Sequence, residues 1–278
     1  MRTSPRSWSA WARDETTSAG ARRIAAAFAA GGKRAALMPY LMGGHPDVAT
    51  SLAIGNAYAD GGADLVELGI PFSDPIADGP VIQAAATRAL AAGTRVTDVL
   101  DVCAELAPRL PVVLMTYANL VLARGVEAFA ADAAAAGASG LIVPDLPLEE
   151  APAALAACDA AGIALVPLVA PTTTDERLAR IGERARGFLY TVSVTGTTGE
   201  RAVLSDTFAS VVERARAHTD VPVALGFGIA TPEQASAAAD AGADGVIVGS
   251  RLVREAAESE DPATAVRELV TAFAQALR

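Results

Sequence analysis

Three carboxylates stand close together in the stretch VELGIPFSDPIADGP at residues 66–80. Glu67 lies inside a short apolar run, and Asp74 and Asp78 follow in a segment that contains three prolines. Proline restricts the backbone of an unfolded or mobile segment, so this stretch is suited to holding acidic side chains in fixed positions. Acidic side chains held together in this way predict a site for proton transfer.

Each of these acids also has a purely structural interpretation. Alternate side chains of a strand point to opposite faces, so Glu67 shares a face with Leu65 and would be partly desolvated inside a barrel, which raises a carboxyl pKa. The alternative is a glutamate at a strand end that reaches solvent or pairs with a base. Asp78 either lies beside Glu67 or caps the helix predicted after Gly79. Asp74, in Ser-Asp-Pro, is equally typical of a turn.

Glycine and hydroxyl residues follow two later apolar runs. GFGIATPEQ begins at Gly226, GSRLV begins at Gly249, and each leads into a predicted helix. Glycines allow backbone N–H groups to approach a ligand, and a helix N-terminus attracts anions. Together the two loops predict a phosphate site, although ordinary strand-to-helix turns also use Gly and Ser.

Two further segments carry glycine, hydroxyl or carboxyl residues that could belong to a site. SVTGTTGER, at residues 193–201, has two glycines and four hydroxyl residues, which suits a mobile lid; a solvated loop is the alternative. Tyr190, just before it, is either a site residue or part of the core. Asp145 follows another apolar run, and a helix cap is the competing interpretation there.

The elements that position these residues follow from a recurring phrase. An alanine-rich helical stretch ends in glycine and is followed by a continuous apolar run, as in AGASGLIVPD and AGADGVIVGS. A run without alternation is typical of a parallel strand covered on both faces. Eight such strands are predicted, near residues 35–40, 65–68, 112–116, 140–143, 164–168, 188–192, 223–226 and 245–248.

Eight strands that alternate with helices predict a single-domain (β/α)8 TIM barrel over residues 20–278, with an open doubly wound sheet as the alternative. Residues 1–19 have no usable periodicity and are predicted to be a mobile tail. In such a barrel the working residues lie where strands end and βα loops begin. All the candidate residues above occupy that position in the predicted order of elements.

Composition excludes several other classes of function. Hydrophobic residues make up 52% of the chain, which is enough for a large core. The formal net charge is −10 without any Lys/Arg block, so nucleic acid and anionic membranes are poor partners, and an anionic ligand would need local backbone donors.

Two cysteines without CxxC spacing and only two histidines predict no disulfide framework and no metal site. No apolar run is long enough to cross a membrane, the N-terminus lacks the order of a secretion signal, and a cytoplasmic location is expected.

The residues together closely resemble the tryptophan synthase alpha chain family, the indole-3-glycerol-phosphate lyases. The resemblance runs from about residue 22 to the end and is strongest in LVELGIPFSDPIADGPVIQ. It is supported by MTYANLV at 115–121, VPDLP at 143–147, YTVSVTGTTG at 190–199, GFGI at 226–229 and VGS at 248–250. His45, before Pro46, departs from the aspartate that is common in the family.

The resemblance implies a retro-aldol cleavage of indole-3-glycerol phosphate to indole and glyceraldehyde 3-phosphate. Glu67 would move protons at the indole carbon and the glycerol hydroxyl, and Asp78 would bind the indole N–H. The substrate-binding residues would be Tyr40, Met115, Tyr117, Tyr190, Thr198 and Phe227. The phosphate-binding residues would be Gly199, Gly228, Gly249 and Ser250.

The resemblance also implies the molecular setting. The chain would need no cofactor or metal of its own, and pyridoxal phosphate would belong to a beta chain that consumes the indole in an αββα heterotetramer. A stand-alone lyase that releases free indole is one alternative. A phosphosugar isomerase on the same barrel is another, but such isomerases lack the proline-braced aspartate loop.

Overall fold

The computed structural model describes residues 17–192, 205–226 and 228–278. Its strands are β1 Ala36–Met42, β2 Val66–Gly69, β3 Val112–Met115, β4 Gly140–Ile142, β5 Ala164–Val166, β6 Leu168–Val169, β7 Leu189–Val192, β8 Val223–Gly226 and β9 Gly245–Val248. Its helices are α1 Ala19–Ala29, α2 Val48–Asp60, α3 Pro80–Ala91, α4 Val96–Leu106, α5 Ala118–Arg124, α6 Val126–Ala135, α7 Ala151–Ala161, α8 Asp175–Arg184, α9 Ser205–Ala217, α10 Pro232–Asp240, α11 Ser250–Glu258 and α12 Pro262–Ala276. Within the described ranges, no helix combines the length and the apolar character needed to cross a membrane.

The parallel strands form one sheet in the order β5-β4-β3-β2-β1-β9-β8-β7-β6. The two ends of this order, β5 and β6, are consecutive in the chain and are separated only by Pro167. The Pro167 carbonyl accepts a hydrogen bond of 3.0 Å from the N–H of Tyr190 in β7. The segment therefore joins both edges of the sheet and closes it, which confirms the predicted TIM barrel and excludes the open sheet. The predicted fifth strand is divided in two because proline has no N–H to donate to the ladder.

Side chains of β2 alternate between the inside and the outside of the barrel. Val66 and Leu68 pack in the cluster between the sheet and the helices. Leu65 packs in a separate cluster that fills the barrel interior. Glu67 lies on the same face as Leu65, as the strand period predicts, and only 1% of it is exposed. The other interior side chains include Met38, Tyr40, Val113, Ile142, Ala164, Tyr190, Ala224 and Ile247.

Helix α1 covers the end of the barrel opposite the βα loops. Ser18 caps it by accepting a hydrogen bond from the N–H of Ala21. The Gly20 N–H donates to the Gly162 carbonyl at 2.8 Å, and a Cβ at Gly20 would collide with the Ser139 carbonyl, so only glycine permits this approach. Ile24 is fully buried in the interior cluster. Of the tail predicted at residues 1–19, residues 1–16 lie outside the described part, and the tail stays a prediction.

The repeated phrase before the strands has a hydrogen-bonding role. The backbone N–H groups of Asp64, Ser139 and Asp244 each donate to a carbonyl at the start of the preceding strand in the sheet, at 2.9, 2.7 and 2.8 Å. The side chains of the two aspartates also accept a hydrogen bond from the same strand. Asp64 Oδ2 accepts from the Leu37 N–H at 2.7 Å, and Asp244 Oδ2 accepts from the Val223 N–H at 2.9 Å. These hydrogen bonds fix the register of the adjoining strands at the end of the barrel where the strands begin, which we call its lower edge.

Ser139 occupies the same position in the repeat, but its side chain does not complete the bond. Its Oγ is buried, and no described atom hydrogen-bonds to it. A buried hydroxyl without a partner costs free energy, because it gives up its bonds to water. Among these three residues, the side chains of Asp64 and Asp244 accept a strand N–H, and that of Ser139 does not.

We predict that Asp244→Ala lowers the free energy of unfolding by about 1–3 kcal/mol, because it leaves the buried Val223 N–H without its acceptor. Asp244→Asn should recover part of this loss, since its amide oxygen still accepts while the ion pair with Arg216 is gone. Ser139→Ala is the matched control and should leave stability unchanged or slightly raised. Urea unfolding followed by circular dichroism measures all three. A Ser139→Ala loss as large as that of Asp244→Ala would contradict this account.

Candidate functional site

Glu67 lies near the carboxyl end of β2 and points into the barrel. Its neighbours in register are Tyr40 of β1 and Val113 of β3. Its Oε1 is buried and has no hydrogen-bond partner among the described atoms. Burial, and then the charge of Asp78, raise the pKa of Glu67 from its ordinary value of 4.5 to about 8. At neutral pH this side chain is therefore protonated and able to donate a proton.

Asp78 is the second acid of the site. Gly79, not Asp78, is the N-cap residue of α3, and glycine has no side chain with which to cap it. Asp78 is 7% exposed, and burial raises the pKa of its carboxyl group to about 6. Asp78 therefore does not act as the helix cap that was the competing interpretation. At neutral pH it is mostly charged beside a protonated Glu67.

Asp74 is not part of this arrangement. It is exposed, and its carbonyl accepts a hydrogen bond of 2.9 Å from the Ile76 N–H. This is the turn that Ser-Asp-Pro typically forms. A second turn follows, in which the Asp78 N–H donates to the Pro75 carbonyl at 3.1 Å. The two turns carry the chain back to the barrel mouth and bury Asp78.

Tyr117, directly before α5, packs against the loop that carries Asp78. Its ring stacks on Phe72, with the ring centroids 5.2 Å apart, and its hydroxyl accepts the Ala77 N–H at 3.2 Å. The same hydroxyl group counteracts part of the effect of burial and lowers the pKa of Asp78. Phe72 is not among the residues predicted from the sequence, because an aromatic residue in a loop gives no local signal of its partner.

Tyr40 and Tyr190 line the barrel interior together with the acids. Each ring lies over the glycine that ends the neighbouring strand: a Cβ at Gly69 would collide with Tyr40, and a Cβ at Gly226 would collide with Tyr190. Both tyrosines are 5% exposed. Burial, together with the negative charges of Asp78 and Glu67, holds their pKa values well above the ordinary value, so both hydroxyl groups stay neutral. Met115 is buried in the same interior cluster.

Asp145 has a role that its own sequence neighbours do not suggest. It is not the cap of the next helix, α7, whose N-cap residue is Glu150. Its Oδ1 instead accepts the N–H of Ala118, the first residue of α5, at 2.8 Å. Asp145 does bind the start of a helix, but that helix is α5 of the preceding βα unit. The competing interpretation, a cap of the following helix α7, is wrong.

The predicted phosphate residues lie at the ends of two neighbouring strands. Gly228 follows β8, is exposed and has φ +83°, which favours glycine. Gly249 follows β9 and is the N-cap residue of α11, and Ser250 begins that helix. Gly249 has no side chain with which to cap α11, and the first N–H groups of a helix have no partner within it. A Cβ at Gly249 would lie 3.7 Å from Tyr40 Cβ, which puts this helix start beside the interior site.

Three predicted residues fall outside the described part of the chain: Thr198, Gly199 and Phe227, together with the predicted lid. Their roles stay predictions. Within the described ranges, no group of His, Cys, Asp or Glu side chains is arranged to hold a metal ion. The described residues of the site offer two carboxyl groups, neutral tyrosines and backbone donors.

Comparison with known proteins gives a consistent result. The family model described as tryptophan synthase alpha chain matches residues 27–278. The tryptophan synthase alpha chain of Prochlorococcus marinus (strain MIT 9313) is 53% identical over 226 residues, covering 81% of this chain and 82% of the relative. That of Methanopyrus kandleri is 47% identical over 253 residues, covering 90% and 92%.

Solved structures agree with the sequence relatives. A chain of Mycobacterium tuberculosis tryptophan synthase superimposes with a TM-score of 0.85 at 42% identity, covering 92% of this chain and 98% of that one. The tryptophan synthase subunit alpha of Legionella pneumophila gives a TM-score of 0.84 at 37% identity, covering 92% and 98%. The similarity therefore extends over nearly the whole barrel.

We predict that Glu67→Gln becomes more stable than the wild-type protein as the pH rises. The folded chain keeps the Glu67 proton up to about pH 8, whereas the unfolded chain loses it near pH 4.5, so wild-type stability falls across this window. Glutamine does not titrate, and the advantage of the variant should grow by on the order of 4 kcal/mol between pH 4.5 and pH 9. Urea unfolding of both proteins at several pH values measures this difference. A difference that stays constant with pH would contradict the raised pKa.

Proposed function

The chain belongs to the tryptophan synthase alpha chain family and is a lyase that cleaves indole-3-glycerol phosphate, and we propose that Glu67 and Asp78 carry out this cleavage. The reaction is the alpha-subunit step of tryptophan biosynthesis. The observation that carries the assignment is the burial of both carboxyl groups at one mouth of the barrel, with pKa values of about 8 and about 6. Neighbouring acids with unlike pKa values can hold opposite protonation states at the same pH.

In the proposed mechanism, Glu67 acts first as an acid and then as a base. Its carboxyl group, protonated at neutral pH, donates the proton to the indole carbon that carries the glycerol chain. The resulting carboxylate then accepts the proton of the adjacent glycerol hydroxyl as the carbon–carbon bond breaks. One proton is given and one is taken back, so indole and the aldehyde are released with Glu67 in its original state.

Asp78 is assigned the complementary role. Protonation of the indole carbon puts positive charge on the ring, with the N–H at its positive end. A carboxylate that is mostly charged at neutral pH binds that N–H more strongly as the charge develops. The partly buried surroundings of Asp78 strengthen this interaction relative to the same pair in water.

The surroundings of the acids support binding of an aromatic substrate. Tyr40, Met115 and Tyr190 form apolar and aromatic walls in the barrel interior, and Tyr117 lies at the same mouth. The neutral hydroxyl groups of the three tyrosines add no charge that would compete with Asp78 for the indole N–H. We assign these four residues to the indole side of the site.

The phosphate end of the substrate is assigned to Gly228, Gly249 and Ser250. The uncapped start of α11 offers N–H donors to an anion, and the glycines leave the backbone open to its approach. The net charge of −10 repels a phosphate overall, so binding depends on these local donors. Phosphate binding at these residues, away from the acids, would orient the reacting end of the substrate.

The proposal includes the assembly and the location. Membership of the family implies a beta chain partner, and we propose the αββα heterotetramer, with pyridoxal phosphate in the beta chain only and indole passed to it. We further propose a cytoplasmic, reducing location. Cys103 and Cys158 support it, since both are free.

We predict that Glu67→Gln lowers kcat for indole release by about 10²–10⁴, because it removes the group that both donates and accepts a proton. Asp78→Asn should reduce kcat as well, because an amide cannot stabilise the positive ring. Wild-type kcat should be highest between about pH 6 and pH 8, where Asp78 is charged and Glu67 is protonated. The assay is release of indole from indole-3-glycerol phosphate.

Asp74→Asn is the matched control, since it changes an exposed acid in the same loop and should leave kcat of the isolated chain unchanged. A near-normal kcat for Glu67→Gln would remove Glu67 from the mechanism. Repeating the assay with a beta chain tests the partner. Faster cleavage with little free indole supports passage of indole between the chains, and an unchanged rate with full release of indole supports the stand-alone lyase.

A further inference from the structure

One side chain outside the Asp78 loop contacts both of its arms. We call residues 70–79 the acid loop. The Tyr117 ring stacks on Phe72 in the first arm, with an angle of 24° between the ring planes, and its hydroxyl accepts the Ala77 N–H in the second arm. Ala77 is the residue directly before Asp78. Any shift of the Tyr117 side chain is therefore transmitted to the backbone that carries the Asp78 carboxylate.

Tyr117 is itself held by a contact from the next βα unit. It is the N-cap residue of α5, and it is 3% exposed. The following N–H, that of Ala118, has no acceptor within the helix, as is general for the first turn. Asp145 supplies the acceptor at 2.8 Å, from the loop after β4. The contacts thus run without a gap from the loop after β4, through the start of α5, to the loop after β2.

We propose that Tyr117 and Asp145 are positioning residues for the cleavage reaction: Asp145 fixes the start of α5, and Tyr117, held there, keeps Asp78 beside Glu67. The inference rests on the proposed roles of those two acids. It differs from the substrate-binding role predicted for Tyr117, because the contacts that carry it are with the protein. The sequence assigns Asp145 no role in the reaction, and the inference gives it one: it supports the position of Tyr117.

The charged and titratable groups that face Asp78 give this arrangement a measurable signature. They are Glu67 of β2, Tyr40 of β1, Tyr190 of β7 and Tyr117. Among these groups, the Tyr117 hydroxyl favours the charged form of Asp78 and lowers its pKa. Removal of that hydroxyl raises the pKa of Asp78. Because the mechanism needs Asp78 charged, the pH below which activity is lost should rise with it.

The first experiment uses Tyr117→Phe, which keeps the ring that stacks on Phe72 and removes only the hydroxyl. We expect kcat to fall about 10- to 100-fold, with a smaller change in KM. The acidic limb of the kcat profile should move up by about one pH unit. Carbon-13 NMR titration of the Asp78 carboxyl group, assigned by its absence in Asp78→Asn, should show the same shift without substrate.

The second experiment tests Asp145 with three variants. Asp145→Ala removes the acceptor for the Ala118 N–H and should lower kcat about 10-fold and move the acidic limb in the same direction as Tyr117→Phe. Asp145→Asn keeps an acceptor oxygen and should restore both properties. Asp132→Ala is the control, because Asp132 pairs with Arg124 at the other end of α5, and it should behave like the wild-type protein.

An unshifted acidic limb and an unshifted Asp78 carboxyl pKa in Tyr117→Phe would overturn the inference. So would an Asp145→Ala variant with wild-type behaviour, or an Asp145→Asn variant as impaired as Asp145→Ala. Should Asp145→Ala fail to fold, the Asn variant and Tyr117→Phe still decide the outcome. A wild-type chain that releases no indole would instead overturn the proposed function, and the NMR titration would still test the positioning role.

Discussion

The site depends on the burial of two carboxyl groups inside an otherwise apolar barrel. Water stabilises a charged carboxylate strongly, so removing Glu67 from water keeps its proton on up to about pH 8. Asp78 is buried less completely, and the Tyr117 hydroxyl favours its charged form, so it releases its proton near pH 6. The difference between the two environments is what separates an acid from a charged partner at neutral pH.

Closure of the sheet makes that burial possible. The segment around Pro167 joins the two edges, so the inner faces of all the strands enclose one space. Glycine at the ends of β2 and β8 leaves room for the side chains of Tyr40 and Tyr190 to contact the backbone there. The pairing of β1 with β9 brings the start of α11 next to Tyr40, so the proposed phosphate donors lie beside the interior residues of the site.

Placement of the acids costs stability and requires support from other elements. Glu67 has an oxygen without a partner, and the acid loop is held by contacts from the neighbouring units. The lower edge of the barrel is stabilised differently, by the carboxylates of Asp64 and Asp244, which accept N–H groups of the adjoining strands. Acidic residues therefore support the fold at one end of the barrel and, in the proposed mechanism, carry the chemistry at the other.

Local patterns in the sequence determined the strands, the face of Glu67 and the order of the loops. Strands 223–226 and 245–248 were predicted with their observed bounds, because strands buried on both faces read as continuous apolar runs, and the side-chain period of two is a property of the backbone itself. The sequence alone left open whether the sheet closes, whether Asp78 caps a helix, and which helix Asp145 supports. Those features depend on contacts between distant parts of the chain, such as Asp145 with Ala118 and Tyr117 with Ala77. Such pairs leave no local pattern, because it is the closed barrel that brings them together.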